Sequence, residues 1–236
     1  MRITTPLRAA IALSAILVLA SCSAPGDAAP SSSSSSDAVA DRTATVTYAG
    51  VVTPSNLDPH RGVTENDIPF LRYIYDPLTT VTPEGVPAPF LAESWELSED
   101  GNTFTMVMRE GATFVDGEPV DAAAVVANLD RMINDPNSTV AYVLAPIIAS
   151  SEVVDERTVK LNLQAPGGAL PTIFASRTGM MVSPKALENP ESLAITPAGA
   201  GAFELVANVP GSSYSFVRRD DYWDKDAYKF AKLEYL

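Results

Sequence analysis

Short turn sequences limit what this chain can become. Glu99-Asp100-Gly101-Asn102, Asp116-Gly117, Asp155-Glu156-Arg157 and Pro210-Gly211 are built from residues that fold back on their own backbone, fix φ, or accept positive φ. Around them apolar and polar residues alternate, the period of a strand with one buried face. Turn plus alternation predicts three hairpins: Leu91 to Leu97 with Thr103 to Met108, Val153-Val154 with Val159 to Leu163, and Ala202 to Ala207 with Tyr214 to Arg218. In the first, Trp95 and Phe104 are expected to point inward. Asp121 caps a predicted helix in which Val125, Val126, Leu129, Met132 and Ile133 recur at helical spacing. Further strands are expected at Thr43 to Tyr48, Thr79 to Thr82, Met180 to Val182 and Leu233 to Leu236. A helix capped by Asn66 or Asp67 should carry Leu71, Ile74 and Tyr75 on one face, and Gly168 to Ser176 reads as a short helix. The fold class is α+β with mixed strands.

No disulfide or zinc staple is available to hold such a body together. With one cysteine and one histidine, the chain has no disulfide framework and no Cys/His zinc cage. No motif calls for a metal or cofactor, and any Ser-His-Asp or Cys-His site would have to use His60. Hydrophobic residues at 46% and charged residues at 19% are those of a folded protein. The net charge of −13 argues against nucleic acid as a partner, because phosphate contacts need clustered Lys and Arg.

The first residues read as an address. Arg2 and Arg8 precede an apolar run from Ala9 to Ala20, shorter than the roughly 20 residues a membrane span needs. It suits the core of a secretory signal. Leu19-Ala20-Ser21-Cys22 resembles the bacterial lipobox, which implies cleavage after residue 21 and lipidation of Cys22. Cleavage there removes two arginines and no acid, taking the net charge from −13 to −15. Residues 22–42, mostly Ser, Ala, Asp and Pro, are expected to form a flexible tether. This layout places the body outside the cytoplasmic membrane, on the outer face in a Gram-positive bacterium and otherwise in the periplasm.

Four ordered stretches carry a family resemblance. They are Asn56-Leu57-Asp58-Pro59-His60; Tyr75-Asp76-Pro77-Leu78 with Pro87 to Glu96 (PAPFLAESWE); Asp100 to Thr105 with Met108 to Phe114 and Asp116 to Val120; and Pro197 to Phe203 with Arg219-Asp220-Asp221-Tyr222-Trp223. Together they resemble the extracytoplasmic solute-binding proteins of the peptide/nickel type, family 5, which feed ABC importers. Ala200 and Ala202 stand where the family usually has Thr and Pro, which puts any ligand hydrogen bond from that loop in doubt.

The resemblance implies a type II clamshell of the periplasmic-binding-protein kind, closing on a peptide or similar solute and presenting it to permease subunits. It implies a monomer with no catalytic role. Residues 43–75 and 185–236 would belong to the first lobe and 76–184 to a smaller inserted α+β domain, with the second lobe missing. Thr53, Pro54 and Asn56 lie on the segment that approaches ligand in the family. His60 either stabilises its loop or meets ligand; Arg177 either grips a carboxylate or lies on the surface; Tyr142 either stacks on ligand or joins the core. Two alternatives stay open: a non-binding fragment from a split or truncated gene, and a lipid-anchored hydrolase using His60.

Overall fold

A computed structural model describes residues 41–50, 54, 56–62, 64–209 and 211–236. The signal segment, Cys22, most of the tether and Thr53 lie outside the described residues. The described residues form one compact unit.

Alternation becomes sheet where it was expected. β4 (Ala92–Leu97), β5 (Thr103–Met108), β6 (Ile148–Val153) and β7 (Thr158–Leu163) form an antiparallel sheet in the order β4-β5-β7-β6. Phe104 pairs with Leu161 and Met106 with Val159, so every second residue enters the core. Phe104 is buried as expected, whereas Trp95 is only partly covered. Over this sheet lies α2 (Ala122–Asn134), begun by the Asp121 carboxylate accepting the Ala124 N–H at 2.8 Å. Its buried stripe of Val125, Leu129 and Met132 packs with Met106, Met108 and Phe174 into a first core.

A second four-stranded sheet runs β1 (Thr45–Tyr48), β10 (Lys232–Tyr235), β9 (Ser213–Arg218), β8 (Phe203–Val209). β1 and β10, far apart in sequence, pair in parallel; the other contacts are antiparallel. Its buried face makes a second, aromatic core in which Phe70 meets Tyr214, Phe216 and Tyr235 edge-on at 4.7, 5.3 and 5.0 Å. A two-stranded ribbon, β2 (Thr79–Val81) with β3 (Pro87–Pro89), completes the strands.

The expected helix before Asp76 closes after one turn, as α1 (Ile68–Leu71), and Asp67 makes no side-chain cap. Ile74 and Tyr75 are buried beyond its end. Three further single-turn helices follow: α3 (Ala141–Leu144), α4 (Leu170–Ile173) and α5 (Pro184–Leu187).

Between the cores the chain crosses three times. Tyr75 belongs to the second core and Leu78 to the first; Met180, Met181 and Val182 alternate second, first, second; Ala200 lies in the first and Ala202 in the second. Gly199 and Gly201 permit the last crossing, because a Cβ on either would stand 2.1 to 2.5 Å from the Ile74 carbonyl group. The expected strand at Met180 to Val182 is instead an extended segment touching neighbours only through single bridges, Pro77 with Met180 and Val182 with Gly199. Side chains and isolated backbone groups satisfy it. Val182 N–H donates to Asn128 Oδ1 at 2.8 Å, and Asn128 Nδ2 donates to the carbonyls of Val182 at 2.7 Å and Ala124 at 2.9 Å.

Asn128→Leu should therefore strand a buried N–H and C=O at once. A loss of at least about 2 kcal/mol is expected, a drop of roughly 4 °C or more in Tm for a domain of this size. Guanidinium chloride and thermal unfolding check it, and an unchanged midpoint would contradict the bridge.

Candidate functional site

The loop at Asn56 to Gly62 is wound on its own side chains. Asn56 Oδ1 accepts the Asp58 N–H at 2.8 Å, and Asp58 Oδ1 accepts the His60 N–H at 3.0 Å. Gly62 N–H closes on the Asp58 carbonyl at 2.9 Å. These are successive Asx turns, which an Asn-x-Asp-x-His spacing makes possible.

Charge then clamps the loop to α2. Arg131 embraces the buried Asp58 carboxylate, Nη1 on Oδ1 at 3.1 Å and Nη2 on Oδ2, and Nη1 also lies 2.9 Å from His60 Nδ1. His60 Nε2 lies 2.8 Å from the Met180 carbonyl. A guanidinium only donates and a carbonyl only accepts, which fixes the tautomer: Nε2 carries the proton and Nδ1 accepts. Burial lowers the His60 pKa to about 4, against the opposing pull of Asp58. The ring is a neutral strut. Its nitrogens face a carbonyl and a guanidinium, so it offers a hydrolase no base set against a nucleophile.

Arg177 enters the same assembly from a turn of 3-10 helix (Arg177–Gly179). Its Nη1 donates to the Gly62 carbonyl at 2.7 Å, to Thr139 Oγ1 at 3.2 Å and to the Pro59 carbonyl at 3.3 Å. Thr139 in turn donates its N–H to the His60 carbonyl at 2.8 Å. At the outer rim Arg61 joins Asp135 at 2.9 Å and Glu191 at 2.6 Å.

The structure thus brings Asn56, His60 and Arg177 into one loop assembly, where His60 and Arg177 are buried among protein acceptors. Pro54 is buried. Tyr142 differs. It projects from α3, just beyond Thr139, and is 76% exposed, so it has not joined the core. Arg131, Thr139 and Asn128 were not singled out from sequence. Asn128 had a readable signal, a polar residue one turn from both Ala124 and Met132 on the apolar stripe of α2. Arg131 had a weaker one, four residues before Asp135.

At the first crossing Asp76 is also buried, and its Oδ2 accepts the Tyr222 hydroxyl at 2.9 Å and Trp223 Nε1 at 2.8 Å. Burial pushes the carboxyl up to about 7, although both hydrogen bonds and the charges of Arg72 and Arg219 oppose it. Trp223 packs on both cores, and Arg109 lies 4.3 Å above its ring. The Tyr-Trp pair of the fourth motif is therefore the far end of a lock on Asp76.

Residues 86–236 match the model of the bacterial extracellular solute-binding proteins, family 5, middle region. The chain belongs to this family. It is 44% identical over 116 residues to the glutathione-binding protein GsiB of Salmonella paratyphi A, a match covering 49% of this chain and 23% of that protein. The GsiB of Escherichia coli K12 is 43% identical over the same length. Among solved structures, AgaA from A.tumefacien R10 in complex with agropinic acid is 30% identical at a TM-score of 0.72, covering 81% of this chain and 39% of that one. NikA from Brucella suis in complex with Fe(III)-EDTA is 29% identical at 0.71, with the same coverage. The murein tripeptide binding protein MppA of Escherichia coli, 24% identical with a TM-score of 0.76, shares the fold and covers 84% of this chain and 42% of its own. This chain thus spans about a quarter of the matched curated relatives and two-fifths of the matched structures. The type II periplasmic-binding-protein fold, read from the motifs, is the fold of these family structures.

Both buried titrating groups give measurable outcomes. As the sole histidine, His60 is open to site-specific NMR: its ring should titrate near pH 4 with the proton on Nε2, whereas a midpoint near the ordinary 6.5 would contradict its burial. Its folded pKa is depressed, so its share of stability is full above about 6.5 and is lost as pH falls toward 4. Asp76 has the opposite sign. Its share is full below 3.8 and is lost as pH rises through about 7. Asp76→Asn, which keeps an acceptor and cannot ionise, should gain on the native protein between pH 5 and 8. Parallel pH-stability curves would contradict this.

Proposed function

We propose that this chain is the receptor component of an ABC importer, capturing a small amino-acid-derived solute outside the cytoplasmic membrane and delivering it to the permease. The 44% identity to a glutathione-binding protein over 116 residues carries this reading. The ligands named for the matched family structures, among them agropinic acid, a murein tripeptide and Fe(III)-EDTA, share carboxylates on a compact polar frame. A peptide-class carboxylate is accordingly the favoured solute, with nickel chelates and opines as neighbouring chemistries.

Residues 43–75 and 185–236 serve as part of one lobe and 76–184 as the inserted domain, a division supported by the two cores. The buried loop assembly holds the segment around Pro54 and Asn56 in place, while Thr53 is proposed for the solute face from the resemblance alone. His60 and Arg177 contribute by positioning that loop. Tyr142 is the ligand-facing candidate, because its exposed ring is available for stacking on a solute. No covalent chemistry is required of any of these groups. Cys22 anchors the protein to the membrane through lipid, a reading supported by the lipobox and the tether.

Thermal shift on the native gene product tests this, using glutathione, di- and tripeptides, opines and nickel–histidine. At a hundredfold excess over Kd, binding stabilises by about 2.7 kcal/mol, a rise of roughly 5–10 °C. Tyr142→Ala should shrink the ligand-induced shift and leave the unliganded Tm unchanged. Silence toward every class would overturn the receptor reading. Retention of Cys22→Ser in the membrane fraction would overturn the anchor.

A further inference from the structure

Where β9 ends, away from the loop assembly, side chains of the described residues enclose a cavity of ≈130 Å³. Its walls carry Arg42, Arg218, Arg219 and Lys225 against Asp220 and Asp224. The chain as a whole has 16 Lys and Arg to 29 Asp and Glu, so cations converge here against the trend of the protein. Arg219 is spent on Asp221, Thr113 and the Phe114 and Gly201 carbonyls. The other three retain donors. Arg42 gives one N–H each to the Lys225 carbonyl and Asp226, and Lys225 Nζ donates to the Asp220 carbonyl.

Arg218 points most directly to a ligand. Its Nη1 donates to the Tyr228 carbonyl at 3.3 Å, yet its Nε is buried with no hydrogen-bond partner. A charged donor shut off from water without an acceptor costs stability, and a guanidinium cannot shed its proton to escape that cost. That Nε is closed to water in this conformation, so an acceptor from outside the chain reaches it only when the side chain turns toward the cavity.

The donors come from three directions: the end of β9, the residues before β1, and the loop between β9 and β10. One carboxylate matches one arginine fork; a tetrahedral phosphate presents oxygens on several sides. The volume corresponds to roughly four waters, enough for a phosphate group and too little for a peptide. We propose that this cavity is a phosphate site, distinct from the solute-capture surface and independent of the importer reading. Because Arg42 is the last residue of the tether read from the sequence, the phosphate can come from solution or from a phospholipid headgroup.

Calorimetric titration of the full chain with inorganic phosphate at fixed ionic strength tests it, with acetate as the comparison anion. Saturable phosphate binding is expected, weakened at least about tenfold by the exposed double variant Arg42→Gln/Lys225→Gln and by Arg218→Gln. If Arg218→Gln fails to fold by circular dichroism, the exposed double variant decides alone. No saturable binding, equal binding of acetate, or indifference to the double variant would overturn the proposal. Flotation of the chain carrying Cys22→Ser with phosphatidylglycerol against phosphatidylcholine vesicles separates the sources. Capture by phosphatidylglycerol that free phosphate competes away assigns a headgroup; phosphate binding without capture assigns a soluble ligand. Capture that phosphate does not compete counts against the cavity.

Discussion

Three residues, Met180 to Val182, run between two hydrophobic cores without belonging to either sheet, and a buried backbone cannot leave its N–H and C=O groups unpaired. That requirement organises the molecule. His60 Nε2 satisfies Met180, the Asp76 carbonyl accepts Met181 N–H at 3.3 Å, and the Asn128 amide takes both polar groups of Val182. Each partner is then held by something else: His60 by Arg131 and its own Asx-wound loop, Asp76 by Tyr222 and Trp223, Asn128 by α2. Three stretches distant in sequence are fixed relative to one another because one short segment needs partners from all of them.

Such an arrangement puts polar groups where water cannot follow, and the protein meets the resulting costs differently at its two ends. At the His60 end the charge is kept and paired, Arg131 with Asp58, while the imidazole between them is held neutral. At the Asp76 end the carboxyl has two neutral donors and, among the described residues, no guanidinium paired with it, so burial governs it and its pKa rises to about 7. The two shifts have opposite consequences for stability across the same range of pH. Acid weakens the grip on the 56–62 loop, and neutral to alkaline conditions load charge onto the first crossing.

The hairpins, α2 and its Asp121 cap were legible because each rests on local chemistry: turn residues, period, and one carboxylate three residues from the N–H it accepts. Met180 to Val182 misleads for the opposite reason. Three consecutive apolar residues describe a buried strand equally well whether ladder or side chains complete their hydrogen bonds, and only tertiary structure tells these apart. Trp95 shows a smaller failure of the same kind, since alternation assigned it a side of the sheet and packing left that side half covered. The resemblance marked the loop of His60 and the turn of Arg177 as separate candidates, and the structure joins them through the Pro59 and Gly62 carbonyls. What it could not give was the direction of their polar atoms, which depends on Arg131 and Thr139 arriving from elsewhere in the chain.

Holding the loop with inward-facing groups has a consequence for recognition. A histidine whose nitrogens are both engaged, and an arginine buried against carbonyls, present a surface that does not change with the solute. Under the receptor reading proposed above, discrimination falls to groups that meet solvent, and among the described candidates that description fits Tyr142. The family structures accommodate agropinic acid and Fe(III)-EDTA on a common fold at 29 to 30% identity to this chain. A scaffold whose charges are satisfied internally tolerates such variety, because altering the exposed surface leaves no buried charge without its partner.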